Sequence, residues 1–273
     1  MYKESVNSNP TEYCGEDLRI FSGKCTANAT SSSQSVFHLP LGDLIMATFF
    51  NPPPQAPLHP AVQLNNEFPL SSHLSVSSQV KRWIDILGAL LGLAIALPIG
   101  IAIAVAIQLD NPGPVFYRQT RCGLHGTLFQ MWKFRSMVVD ADRLKSSISN
   151  QATGCIFKND CDPRVTRIGR ILRKTSLDEL PQLWNVLRGE MSLVGTRPPT
   201  PDEVSHYSPS HWQRLQVKPG ITGEWQTNGR SLVSDFEDIV KLDLAYQDKW
   251  SVQYDLQLLW KTIWVVVRSN GAY

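Results

Sequence analysis

The sequence predicts an α+β protein, mostly α, attached to a membrane. Three observations carry this. The run Ile86–Ile107 contains 22 residues and no charge. Val115–Tyr117 and Thr127–Phe134 are rich in β-branched and aromatic residues and are separated by Gly123 and His125-Gly126. Apolar residues recur at helical spacing at Leu180, Leu183, Trp184 and Leu187, and a long apolar tail runs from Leu242 to Arg268.

Residues 1–80 read as a poorly structured extension. Serine runs and the stretch Asn51-Pro52-Pro53-Pro54 bury too little apolar surface to offset the entropy of ordering. Three basic residues stand against six acids there, a net −3, which leaves +5 on residues 81–273, where all eight tryptophans lie. Basic and aromatic residues together suit a membrane surface or a phosphorylated substrate. The first twenty residues include Glu4, Glu12, Glu16 and Asp17, so no cleavable signal is expected. Five cysteines without a CxxC pair suggest neither a disulfide framework nor a zinc site.

Lys81 and Arg82 introduce the apolar run, which as a helix would be ~33 Å long, near the hydrocarbon thickness of a bilayer. Pro98 lies at its middle, where a missing N–H and a steric clash predict a kink or break. Taken alone, the run also reads as an ordinary span with a tolerated proline. Asn111-Pro112-Gly113-Pro114 is a turn, the two β-rich segments form a hairpin, and Met137–Ser149 reads as a helix with Asp140 and Asp142 early and Lys145 late. Trp260 and Trp264, at i, i+4 spacing, belong either to the core or to a headgroup layer.

The segment Arg167–Pro198 places Asp178 and Glu179 between Arg167, Arg170 and Arg173 on one side and Arg197 on the other. Carboxylates framed by guanidiniums suit phosphate chemistry: an acid can bind Mg²⁺ or attack phosphorus while the cations neutralise phosphate oxygens. The competing reading is a capping box, with Ser176 as N-cap and Glu179 at N3 of a helix ending at Gly189. Lys133 and Arg135, at i, i+2 on a strand, would share a face and could grip a diphosphate; a solvated basic edge is the alternative. No GxxxxGK[ST], GxSxG or HExxH motif is present.

Several motifs in order resemble one family. SLDELPQLWNVLRGEMSLVGTRP from Ser176, KFRSM from Lys133 and PGITGEWQTNGR ending at Arg230 are similar to hallmark segments of the bacterial sugar transferases, the monotopic polyprenyl-phosphate phosphoglycosyl transferases. The resemblance covers about Lys81–Tyr273. It implies a monotopic protein with one N-terminal re-entrant membrane helix broken at Pro98 (81–109), a catalytic domain at 110–273 with a small β-hairpin, and amphipathic surface helices. It further implies Asp178 as nucleophile, Glu179 as its assistant, Mg²⁺ held by both, and Lys133, Arg135, Arg173, Arg197 and Arg230 as substrate-binding residues.

Two departures stand out: Leu97 replaces a serine before the proline, and Thr196 replaces a proline before Arg197, which should loosen the corner that aims it. The four-helix module that larger members carry upstream is expected to be missing. The implied partners are a nucleotide sugar (a UDP-sugar), polyprenyl phosphate, membrane lipids and downstream glycosyltransferases, at the cytoplasmic face of a bacterial inner membrane. A non-catalytic membrane scaffold binding anionic lipids is the alternative. Nucleic-acid binding is not expected, because the basic residues interleave with apolar faces. No residue distinguishes one sugar from another.

Overall fold

A computed structural model describes residues 72–144, 147–152, 154, 159, 161–228, 233 and 235–268. The last residues of the 1–80 stretch are folded. Leu74–Ser77 forms a short helix (α1), with His73 as its cap and Ser75 buried. The His73 N–H donates to Gln216 O at 3.1 Å, which ties this entry segment to the body of the protein.

Ser78 caps the long helix α2, Gln79–Asp110, by accepting from Lys81 N. The helix is continuous through Pro98, so the expected break there is corrected to an unbroken helix with an internal proline. A proline removes one donor, and the flanking hydrogen bonds keep the helix going. Its two faces differ sharply. Ala89, Ala96, Ile103 and Ile107 are buried at helical spacing, while Leu87, Leu91, Ile95, Leu97, Ile101, Val105 and Leu109 are exposed. Gly88 allows close packing on the inner face, since a Cβ there would lie 2.6 Å from Leu193 Cδ1.

Both ends of α2 are bonded to the folded domain. Near the start, Lys81 Nζ donates to Asp255 at 2.6 Å and to Val194 O at 2.9 Å, and Asp85 accepts from Ser192 Oγ and Leu193 N. At the far end, Asp110 accepts from Ile168 N at 3.1 Å and Asn111 O accepts from Arg135. The helix also supplies core. Ala89 packs with Phe129, Met131, Val186 and Met191, and Ile103 and Ile107 pack with Val115, Phe134 and Leu172. Burying one such aliphatic side chain contributes about 1.5–3 kcal/mol.

The hairpin forms as expected, with a longer first strand. β1 (Phe116–Cys122) pairs antiparallel with β2 (Leu128–Phe134) around a 3₁₀ turn at Leu124–Gly126. Met137–Ser149 is not the helix expected of it. Met137 bridges to Val165, Val138 N–H donates to Arg164 O, and Asp140 adopts φ 64°, a left-handed geometry that interrupts helical propagation. Turns follow through Leu144, and Lys145 lies outside the described residues.

Helix α3 (Arg167–Thr175) packs tightly on the segment after β2: a Cβ on Gly169 would lie 1.9 Å from Ser136 O. Helix α4 (Gln182–Arg188) ends at Gly189 in the expected left-handed cap, φ 81°. Its apolar stripe divides, with Leu183 and Leu187 against the core and Trp184 half exposed.

A second sheet was not expected. β3 (Ser192–Val194) pairs in parallel with β4 (Gly220–Thr222), and Thr196 bridges to Pro219. This pairing demands glycine, because a Cβ on Gly220 would lie 2.1 Å from Gly195 N. Short helices α5 (Pro201–Val204), α6 (Pro209–Trp212) and α7 (Glu224–Thr227) frame the sheet. The apolar tail divides into α8 (Phe236–Lys249) and α9 (Val252–Arg268). On α9, Trp260 and Trp264 are 71% and 51% exposed, which places them on the surface rather than in the core. Cys161 is disulfide-bonded, which is compatible with a spacing that argues only against a disulfide framework. Cys122 is a buried free thiol.

Candidate functional site

The acid pair sits on a turn rather than at a helix cap. Helix α3 closes at Ser176, whose left-handed backbone (φ 55°) lets its N–H donate to Arg173 O. Leu177–Glu179 then form a single 3₁₀ turn in which Ser176 makes no capping side-chain bond. The capping-box reading is therefore overturned. Leu177 and Leu180 pack onto the cluster of Ile103, Phe134 and Leu172, and these two apolar anchors hold the acids between them in a fixed orientation. Asp178 is only 6% exposed.

Glu179 faces the hairpin. Its Oε1 accepts from Lys133 Nζ at 2.9 Å, and the pair is partly shielded from solvent. Lys133 and Arg135 do not act on one partner. Lys133 engages Glu179, whereas the buried Arg135 turns under the Asn111–Gly113 corner and donates to Asn111 O. Burial alone lowers the pKa of Arg135. Arg173 donates from Nε to Ser136 Oγ at 3.0 Å, beside Arg135 in sequence.

Arg197 is held by Glu203 at 2.8 Å and lies over the Trp225 ring at 5.8 Å. The Thr196 corner is firm: Thr196 is 2% exposed, its hydroxyl donates to Arg214 O at 3.2 Å, and its own carbonyl accepts from Gly220 N. The expected loosening is thus corrected, since the threonine hydroxyl replaces ring rigidity with a hydrogen bond. Arg230 lies outside the described residues.

Arg121, on β1, was missed from sequence and joins these groups. Its Nη1 donates to Pro198 O at 2.8 Å, and its pKa is lowered to about 10, first by burial and then by the neighbouring Arg197 charge, with Glu203 and Glu179 acting the other way. No sequence signal marked it, because the strand expected at Val115–Tyr117 stops short of Arg121 and only the observed register sets it on the face that carries Lys133. Burial opposes the charge of Glu203, yet Arg197 and then Arg121 pull its pKa below the ordinary carboxylate value. The result is a group of cations, Arg121, Lys133 and Arg197, interleaved with Glu179 and Glu203.

The acid pair suits a hard cation, as carboxylate oxygens are the donors that Mg²⁺ prefers. Among the described residues no cluster of three or more His, Cys, Asp or Glu forms a metal site, so Asp178 and Glu179 would need oxygens from a bound phosphate to complete a shell. Mg²⁺ sites in phosphoryl transfer commonly have that composition.

Comparison with known proteins places this geometry in context. Residues 76–269 match the family model described as bacterial sugar transferase. The chain is 48% identical over 194 residues to the galactosyl transferase CpsE of Streptococcus agalactiae, covering 70% of this chain and 43% of that protein. It is 44% identical over 200 residues to an undecaprenyl-phosphate galactose phosphotransferase of Salmonella typhimurium, covering 71% and 42%. It is 40% identical over 199 residues to the exopolysaccharide production protein ExoY of Sinorhizobium fredii, covering 71% and 88%. The chain thus spans about two fifths of the length of the first two relatives and most of the third.

Proposed function

Because the chain belongs to the bacterial sugar transferase family, we propose that it transfers a sugar-1-phosphate from a UDP-sugar to polyprenyl phosphate, the first step of a polysaccharide repeat unit. The observation that carries this reading is the sheltered Asp178 beside Glu179, with Lys133 bonded to Glu179, Arg121 acting on it, and Arg197 next to Arg121.

An Asp178 carboxylate oxygen attacks the phosphorus bonded to the sugar. A new P–O bond forms, the bond to the uridylyl phosphate oxygen breaks, and UMP departs with that electron pair. A phosphate oxygen of the polyprenyl phosphate then attacks the same phosphorus, and the carboxylate leaves. Lys133 holds Glu179 in place and shares its charge, so that the acid pair can approach an anionic phosphate. Arg121 and Arg197 supply positive potential for the diphosphate of the donor, and Arg135 and Arg173 order the segment after β2 that supports the turn. Mg²⁺, when bound by Asp178, Glu179 and donor oxygens, supplies charge neutralisation at the phosphate.

We read α2 as embedded from one side of the membrane. One folded domain is bonded to both Lys81 and Asp110, so both ends of this unbroken helix lie on the domain's face of the membrane, and its outward Leu and Ile residues bed into that leaflet. A cytosolic donor places that face in the cytoplasm, where glycosyltransferases that extend the lipid-linked sugar would follow. The exposed Trp260 and Trp264 suit the headgroup layer. The scaffold alternative loses its main support, because the acids do not form a capping box.

The deciding experiment incubates membranes containing the protein with undecaprenyl phosphate and a panel of UDP-sugars, UDP-galactose first because of the Salmonella relative's name. UMP release with one sugar supports the reading, and excess EDTA should stop it reversibly. No UMP from any donor, or turnover indifferent to EDTA, would count against it.

A further inference from the structure

A polar cavity of about 210 Å³ lies where α1, the first turns of α2 and the loop before β4 meet. Ser75, Ser78, Lys81, Arg82, Asp85 and Lys218 line it. It shares no lining residue with the acid-pair site. Three cations face one carboxylate here, and their individual partners explain only two of them.

Lys81 is neutralised by Asp255 at 2.6 Å. Arg82 donates to Val186 O and Leu187 O, both at 2.7 Å, satisfying the carbonyl end of α4. Asp85 is engaged by Ser192 and Leu193. Lys218 has no hydrogen bond or ion pair among the described residues. Its ammonium is nevertheless held close to Arg82: a Cβ built on Gly189 would lie 3.5 Å from Arg82 Nη2 and 3.7 Å from Lys218 Nζ. Burial, and next the Arg82 charge, lower the Lys218 pKa. Asp85 offsets part of this, yet its oxygens are already engaged by Ser192 and Leu193, so three cations share one carboxylate, an imbalance that an added anion would relieve.

The position of the cavity selects the anion. It lies level with the first turns of α2, where on the opposite side of the helix Val80, Trp83 and Leu87 are exposed and its apolar surface begins. On the membrane reading this is headgroup depth, where exposed tryptophan is favoured and phosphates are concentrated. Serine hydroxyls beside lysine and arginine are the donor set that phosphate oxygens accept from.

We propose that this cavity binds the phosphate of a membrane lipid headgroup, with Lys218 and Arg82 as its cationic contacts and Ser78, whose hydroxyl only accepts from Lys81 N, as a hydroxyl donor. The proposal rests on the membrane reading of α2, and the test separates the two. Purified full-length protein is floated with vesicles of phosphatidylcholine alone and of phosphatidylcholine with phosphatidylglycerol, comparing the parent chain with Lys218→Met and Lys218→Arg. We expect Lys218→Met to lower partition onto the phosphatidylglycerol vesicles by about fivefold, one basic residue's share of the attraction, with partition onto phosphatidylcholine unchanged and Lys218→Arg close to the parent. Equal partition of all three proteins overturns the proposal. A matching loss on both vesicle types overturns it too, because Lys218 would then serve the docking of α2. Inorganic phosphate in detergent is the remaining arm: if it raises the Tm of the parent and not of Lys218→Met while the vesicle partitions agree, the ligand is free phosphate and the lipid assignment fails. A parent chain that ignores phosphatidylcholine vesicles altogether would instead remove the membrane reading itself.

Discussion

Lys81 and Asp255 meet at 2.6 Å between the first turn of α2 and the first turn of α9, both almost fully buried. The pair is part of a larger network. Tyr246 donates to Asp255 Oδ1 at 2.8 Å and Trp250 Nε1 donates to Oδ2 at 3.2 Å, so one carboxylate gathers α2, α8 and the link to α9. Fully bonded, such a charge is tolerated in the interior; stripped of one partner, it is not.

Asp255→Ala should therefore destabilise the protein by about 3 kcal/mol, because Lys81 would remain buried without a counter-charge. Thermal unfolding in detergent measures this. Lys81→Met combined with Asp255→Leu should recover much of the loss, and failure of the double substitution to recover any would mean that Tyr246 and Trp250 carry the junction instead.

At the candidate site, Asp178→Asn should reduce transfer by at least about 10³-fold while leaving the Tm within a degree or two, since the amide is isosteric but is a poor nucleophile. UMP release reads the first and a melting curve the second. Glu179→Gln should also impair turnover, and it should leave Lys133 without its partner. Substantial turnover by the Asp178→Asn protein would remove the covalent role.

Topology is tested by thiol labelling of Ser77→Cys and Pro112→Cys, exposed positions that bracket α2, each read against the parent chain. Both should label from the cytoplasmic side. Labelling from opposite faces would make the helix a true span.

The Glu203–Arg197 pair gives a pH dependence of defined sign. Because Arg197 and Arg121 depress the Glu203 pKa in the folded protein, its contribution is complete above the ordinary glutamate value of about 4.3 and is lost as pH falls through the lower folded value. Glu203→Gln should cost about 2 kcal/mol near pH 7, with the gap to the parent narrowing towards pH 3. Chemical denaturation across that range checks it, and a gap that stays constant would show that the carboxylate charge is not the source.

Much of this architecture was legible in the residues, for local reasons. The hairpin, the cap at Gly189 and the apolar helix follow from alternation, from a glycine that tolerates φ 81° and from an uncharged run. What escaped notice depends on distant partners. β3 and β4 are three residues each and gain their pairing only because Gly195 and Gly220 let two backbones touch. Met137–Ser149 carried helix-like charges, yet Arg164 draws its start into a bridge and Asp140 turns left-handed. At the candidate site the acids stood out by motif, whereas Arg121 did not, since only the fold brings β1 beside Pro198 and Glu203.

The order of synthesis gives α2 an unusual history. Among the described residues, the core partners of its inner face, from Val115 to Met191 with Leu193 and Ile221 beyond, follow it in the chain. On the membrane reading, Ala89, Ile103 and Ile107 emerge before these partners do, and a bilayer would be the apolar environment that shelters them in the interval. Insertion would then come first, with the domain closing onto a helix already in place. A fragment beginning after Asp110 would retain the acids and arginines but lack one wall of its interior, so it should fold poorly even in detergent, where no membrane anchor is needed.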